Sequence, residues 1–388
     1  MIYLDFNATT PVDPLVLQEM VPWFTDTFGN PSSAHAPGRR AAGAIAEARE
    51  VIGGLLRCDP SRIVFTSGAT EANNLALKGA LGTDEGPRHI ITTAAEHKSI
   101  LEAAASVPAA TVDVISVDAV GRIDLDELRS SLDRSPAVVS VVAANNEVGT
   151  LNPIIDIAEL VHRAGSLLHT DATQWVGKLP IDVDEWDVDL LSFSAHKMYG
   201  PKGVGALYVR QGIHLQALLT GGGQERGIRG GTLNVPGIVG FAAAASLARE
   251  LLASEPERMR TLRDRLLHSL QDQVGGISVN GDLNCGLPNT LNVRFAGAEA
   301  DAVLAGLPDL AAATGSACTS AVPAPSHVLL AMGLDPPAAD ESLRLSIGRS
   351  TTEWEVDRAV GMLAGAVDRV RGLAASDPEA EGWIHATR

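Results

Sequence analysis

Cysteine is scarce in this chain. Only Cys58, Cys285 and Cys318 occur among 388 residues, odd in number and far apart. That excludes a disulfide framework and a C-x-x-C zinc knuckle. Positive charge is also short: 30 Lys and Arg stand against 47 Asp and Glu, a formal net charge of −17. Nucleic-acid binding normally rests on Lys and Arg neutralising phosphates, so no direct nucleic-acid contact is expected. A partner could still connect an acidic enzyme to such a pathway. No apolar run approaches the ~20 residues that cross a bilayer. The alanine-rich stretch from Phe241 meets charge at Arg249 and Glu250. The N-terminus has no basic segment followed by an apolar core, so neither a signal peptide nor membrane association is expected. Reducing, cytoplasmic surroundings fit these shortages. Two phosphate signatures are missing as well: the G-x-x-x-x-G-K-[ST] of P-loops and the G-x-G-x-x-G of dinucleotide folds.

What is present is a folded α/β enzyme. At 45% hydrophobic and 20% charged, the chain can bury a large core in two to three domains. Strand-like apolar runs at 63–66, 89–93, 111–117, 137–143, 167–171, 190–194 and 205–209 are interleaved with several segments of helical spacing, such as 39–56, 124–132 and 155–164. Such alternation predicts a mostly parallel sheet covered on both faces, with ligands at the carboxyl ends of its strands. After about Gly240 the pattern changes to helices at 241–252 and 257–270, short strands at 291–295 and 342–347, and a terminal helix at 353–373. The expected division is a large domain at 12–250, a smaller α+β domain from 1–11 and 251–375, and a polar tail at 376–388.

Three loops at the ends of predicted strands carry chemistry. Ser67, Gly68, Ala69, Thr70 and Glu71 place small residues between a strand and a helix. There, free N–H groups suit a phosphate or simply form a capping turn. His169 to Gln174 puts Asp171 at a strand's end, where a carboxylate either holds a protonated heterocyclic nitrogen or caps a helix. In the loop at 192–203, Lys197 follows an apolar strand beside Ser194 and His196. It reads as a surface lysine or as a desolvated amine for Schiff-base chemistry. Taken together, a phosphate cup, an acid and a lysine are the parts that a pyridoxal 5′-phosphate (PLP) site needs.

These residues closely resemble the NifS/IscS class of cysteine desulfurases, within the fold-type I PLP enzymes. The similarity runs through YLDFNATTP at 3–11, FGNPSS at 28–33, FTSGATE at 65–71, EHK at 96–98 and NNEVG at 145–149. It continues through the Asp171 and Lys197 loops, GGGQERGIRGGT at 221–232, GSACTS at 315–320 and SLRLSIGR at 342–349. The fold it implies is a large domain with a mostly parallel seven-stranded sheet covered by helices, plus a smaller α+β C-terminal domain carrying the catalytic cysteine loop.

The roles implied follow position by position. Lys197 would tether the cofactor and shuttle protons. Asp171 would pair with the pyridinium nitrogen, Gln174 with the phenolic oxygen, and His97 would stack on the ring and assist proton transfer. Ala69, Thr70, Ser194 and His196 would hold the phosphate, and Thr232 would reach the phosphate of the neighbouring subunit in a homodimer. Arg344 would clamp the substrate carboxylate, its bland alternative being an ion pair between strands. Asn146 would lie against the cofactor and help orient the substrate. Cys318, in a run of small and proline residues, would be the thiolate that takes sulfur from L-cysteine as a persulfide, releasing L-alanine. Cys58 and Cys285 are expected to be structural.

The acceptor would be an iron–sulfur scaffold, a tRNA-thiolation protein or a DNA sulfur-modification protein. No intrinsic metal site is expected, although a persulfide on Cys318 could contact a cluster on a partner. Two departures bear on the acceptor. Ala324 stands where an acidic residue is frequent in the family, and residues 372–388 show no match to the family's scaffold-docking tails. The competing readings are a selenocysteine lyase or other fold-type I PLP enzyme, in which Cys318 has no chemistry, and a non-catalytic sulfur-transfer partner subunit.

Overall fold

A computed structural model describes residues 1–82, 88–315 and 324–376. After a short first strand, β1 (Ile2–Tyr3), seven strands build the main sheet. They are β2 (Ile63–Thr66), β3 (His89–Thr93), β4 (Thr111–Ile115), β5 (Val138–Val142), β6 (Leu167–Asp171), β7 (Leu190–Ser194) and β8 (Gly205–Val209). Their order is β2-β8-β7-β6-β5-β3-β4. Only β8 runs antiparallel to its neighbours, and every other pairing is parallel. Because β8 opposes both β2 and β7, those two point the same way as β3, β5 and β6. Every residue of β2, β3, β5, β7 and β8 is buried. That is why β2, β5, β7 and β8 read as mostly apolar runs and not as alternating ones, whereas β3 also buries His89, Thr92 and Thr93.

Helices cover the sheet. Ala36–Leu56 starts with a proline in its first turn and His35 accepting the Gly38 N–H. It buries Ala41, Ile45, Ala48, Ile52 and Leu56, a stripe spaced by three and four residues, and stops at Arg57 in the left-handed region (φ 59°). Val235–Leu251 packs beside it and starts six residues earlier than its apolar spacing predicts. The side chain of Asn234 caps the Gly237 N–H, and a proline occupies the first turn. Strand β4 ends at Ile115, short of the predicted 117, because Glu127 takes the Ser116 N–H and turns the chain out of the sheet.

The remaining strands are β9 (Ile277–Asn280), β10 (Thr290–Phe295), β11 (Leu310–Ala311), β12 (Ala313–Thr314) and β13 (Ser342–Ser346). An antiparallel sheet has the order β12-β13-β10-β9, and β1 pairs in parallel with β11. Two main hydrophobic cores result. One holds the main sheet and the helices Ala36–Leu56 and Val235–Leu251. The other gathers Ile2 and Leu4 with Leu266, Phe295, Leu345 and Leu363. At about 1.5–3 kcal/mol for each large apolar side chain fully buried, each cluster supports its own layer. Among the described residues no single helix is long and apolar enough to cross a membrane.

Candidate active site

Five parallel strands end on the same edge of the main sheet, so the residues that follow them meet in one place. They surround a cavity of about 690 Å³. Strand β2 leads to Gly68, Ala69 and Thr70, β3 to His97, β5 to Asn146, β6 ends in Asp171, and β7 ends in Ser194 just before Lys197. The second core contributes Arg344 from β13, and the N-terminal segment contributes Asn7 to Thr9. Ten of the sequence-predicted residues line this cavity: Ala69, Thr70, His97, Asn146, Asp171, Gln174, Ser194, His196, Lys197 and Arg344. Thr232 is exposed and does not line it. Cys318 lies outside the described residues, but Gly315 and Ala324, on either side of its segment, both line the cavity.

One end of the cavity suits an anion. The helix Ala69–Leu81 has Gly68 at its N-cap, with no side chain to satisfy the first-turn N–H groups. A Cβ built on Gly68 would point at Ser194 Oγ, 3.9 Å away. The cup stays close to the sheet because Gly205 has no side chain either. A Cβ there would fall 2.7 Å from Gly68 Cα and 2.7 Å from the Phe193 carbonyl oxygen. His196 faces Thr9 through Nδ1, 3.1 Å from Thr9 Oγ1. Burial, with Lys197 and Lys202 adding, pushes its imidazole down to about 4, so the ring is neutral at pH 7. Glu71 fixes the loop by accepting the Ser67 N–H at 2.8 Å while paired with Arg229.

At the floor, Asp171 is 4% exposed. Its carboxylate caps the turn that follows β6. Oδ1 caps the Thr173 N–H at 2.9 Å, while Oδ2 accepts from Asn73 Nδ2 at 2.8 Å. Asn73 also donates to Ser99 Oγ (2.9 Å), which lies 2.8 Å from His97 Nδ1. Burial holds the His97 imidazole below its ordinary 6.5; Asp171 pulls the other way, and Lys197 and His327 lower it further.

Lys197 is not a surface lysine. Its Nζ donates to the carbonyl oxygens of Asn7 (2.6 Å) and Ala8 (2.7 Å). Gln174 donates through Nε2 to the same Asn7 carbonyl (2.9 Å) and accepts from Lys178 Nζ at 2.5 Å. Burial drives the Lys178 amine well below its ordinary 10.5, with Lys197 and Arg344 adding to the effect. Asn7, Asn73, Ser99 and Lys178 were not legible as site residues. The only signal was Asn73, a poor helix former in the middle of a helix. A lysine buried beside a glutamine has no sequence signature.

Arg344 forms an ion pair and also lines the cavity. It is 5% exposed, ion-pairs with Asp5 at 2.7 Å and donates to the Asn146 carbonyl at 3.1 Å. Its Nε has no partner among the described residues although it is buried. Beside it, the buried Glu147 accepts from Ser326 Oγ at 2.5 Å. The other cysteines stand apart. Burial pushes the Cys58 thiol up to about 12, which makes it unreactive, whereas Cys285 is exposed.

The donor set meets what a phosphorylated pyridine aldehyde requires. It offers uncapped N–H groups with a glycine for the phosphate, a buried carboxylate for the ring nitrogen and a half-buried amine for the aldehyde.

Comparison with known proteins agrees. The aminotransferase class-V family matches residues 2–359. A protein named cysteine desulfurase IscS from Anaeromyxobacter sp. (strain Fw109-5) is 47% identical over 379 residues, 96% of this chain and 94% of its own. A solved NifS-like protein superposes with a TM-score of 0.89 at 39% identity, covering 95% of this chain and 99% of its own. A structure described as SspA in complex with cysteine gives a TM-score of 0.80 at 37% identity, covering 89% of this chain and 99% of its own.

Proposed function

The chain belongs to the aminotransferase class-V family, among its cysteine desulfurases, and from that membership we propose how its own residues move sulfur. The reaction is balanced without an outside oxidant: L-cysteine and the thiol of Cys318 give L-alanine and a persulfide on Cys318. The observation that carries this reading is that Lys197, Asp171, His97 and Arg344 share one cavity, bordered on both sides by the ends of the Cys318 segment.

Pyridoxal 5′-phosphate, when bound, supplies an electron sink for charge at the substrate's α-carbon. Ala69, Thr70, Ser194 and His196 would hold its phosphate, Asp171 its ring nitrogen and Gln174 its phenolic oxygen. His97 would lie against the ring, and Lys197 would tether it. Arg344 and Asn146, which both line the cavity, receive the substrate carboxylate. Lys197 holds and moves the α-proton at Nζ, steadied by the carbonyls of Asn7 and Ala8. Cys318 attacks the substrate sulfur. It is three residues beyond Gly315, at most about 11 Å of chain from the cavity wall. L-cysteine as the substrate is supported by the cysteine complex of a relative.

The enzyme acts as a homodimer in which Thr232 reaches the neighbouring subunit's phosphate. Supporting this, Thr232 is exposed and away from its own cavity, and Leu15, Leu17, Val21, Phe24 and Phe28 leave an apolar face uncovered. The persulfide goes to an acceptor protein for iron–sulfur cluster assembly or another thiolation pathway.

The test is direct. Purified protein is yellow and releases alanine from cysteine. Cys318→Ala keeps the colour and loses persulfide formation by on the order of 10³-fold or more, and Lys197→Ala loses the tethered cofactor. Full sulfur transfer by Cys318→Ala would remove the thiol from the mechanism.

A further inference from the structure

We propose that Asn73 and Ser99 are positioning residues that fix His97 in its Nε2–H tautomer, so that the cavity meets a proton donor at that atom and not a lone pair. The inference deepens the proposed function and rests on it only for what the donor faces.

The direction of each bond in the chain is set from its two ends. At one end is the carboxylate of Asp171, which can only accept; Asn73 Nδ2 donates to it at 2.8 Å. Turning the Asn73 amide over would set Oδ1 against the carboxylate, two acceptors face to face. The second hydrogen on Nδ2 goes to Ser99 Oγ at 2.9 Å. With a lone pair of Ser99 Oγ engaged in this way, its own hydrogen is free for His97 Nδ1, 2.8 Å away. At the other end, the backbone N–H of Ser99 can only donate, and its acceptor is also His97 Nδ1, at 3.1 Å. Nδ1 therefore carries the lone pair, and a neutral ring keeps its one proton on Nε2.

Asn73 Oδ1 is buried and has no partner among the described residues. An unsatisfied buried carbonyl is costly. The structure tolerates it because the opposite face of the amide makes two bonds, one to a charged group. Asp171, Lys197, His327 and Glu102 are the charged or titratable groups that act on the ring, and burial outweighs them in keeping it neutral.

The consequence for the reaction is a division of labour. Lys197 takes protons, while His97 offers one at Nε2 to an acceptor lone pair of the substrate. For His97 to act as the base at Nε2, its proton would first have to move to Nδ1, where it would face the Ser99 backbone N–H, donor against donor.

The experiment is nitrogen-15 NMR of histidine-labelled holoenzyme near neutral pH, with the His97 signals assigned by their loss in His97→Gln. The expected result is a protonated Nε2 and an unprotonated Nδ1. Ser99→Ala should move the Nδ1 signal toward that of a free imidazole, and Ser99→Thr should restore it. Asn73→Leu should do what Ser99→Ala does and lower kcat by up to about a hundredfold while KM changes less than twofold. If Asn73→Leu fails to fold, the Ser99 pair carries the test alone. A proton found on Nδ1, or a Ser99→Ala spectrum identical to wild type, overturns the proposal. Cofactor binding is read separately from visible absorbance. A colourless protein with the expected tautomer supports this inference while sinking the cofactor reading.

Discussion

The carboxyl group of Glu96 has no access to solvent, one residue before His97. Oε1 accepts from the Val142 N–H (2.7 Å) and Thr93 Oγ1 (2.9 Å), whereas Oε2 has no partner among the described residues. Burial pushes the group from its ordinary 4.5 up to about 8, outweighing those two hydrogen bonds. The folded protein thus keeps a proton that the unfolded chain gives up near pH 4.5. The contribution of Glu96 to stability is complete below that pH and is lost as pH rises toward 8. Glu96→Gln mimics the protonated form and should flatten the fall in stability between about pH 5 and 8, measured by denaturant unfolding across that range. An unchanged slope would mean that Glu96 is ionised in the fold.

The loop of residues 221–231 is the element whose anchoring matters most. Glu225 lies within it at a left-handed φ of 44°, with its side chain 1% exposed. The carboxylate accepts the Phe65 N–H of edge strand β2 at 2.8 Å and takes two bonds from Arg49, at 2.6 and 2.9 Å. The Arg49 guanidinium also stacks over the Phe65 ring at 4.7 Å. One helix, one strand and one loop are therefore pinned at a single carboxylate, and the loop leads directly to Thr232. Arg49→Met leaves that carboxylate buried without its cation. We expect a loss of about 3–5 kcal/mol in stability by denaturant titration, since removing one partner of a buried pair is strongly destabilising.

At the scale of the molecule, the cavity wall is drawn from both main cores. Asp171 and Lys197 come from the main sheet; Arg344 comes from β13, tied to the N-terminal Asp5. A ligand filling that space holds the two layers together and binds only the folded form. Holoenzyme should therefore unfold at a higher temperature than protein stripped of cofactor. Restoring pyridoxal phosphate at a hundredfold excess over its Kd should return about 2.7 kcal/mol. Calorimetry reads the shift, and Lys197→Ala should shrink it.

By itself, the sequence determined most of the strands and which candidate residues stand at their ends. Strands 63–66, 89–93, 167–171, 190–194 and 205–209 were legible to the residue, because a strand buried on both faces is mostly apolar, even where it also buries polar groups such as His89 and His169. The candidate lysine, acid and phosphate loop followed, because small and polar residues directly after such runs are local features. Only the tertiary structure decided which residues support them. Asn7, Asn73, Ser99 and Lys178 act through partners up to 339 positions away, as with the Asn7 N–H and Ser346 Oγ. A hydrogen bond between distant segments leaves no periodicity or spacing in either one. The Arg344 setting was likewise open until β13 met the N-terminus, since an ion pair and a ligand donor are written with the same residue.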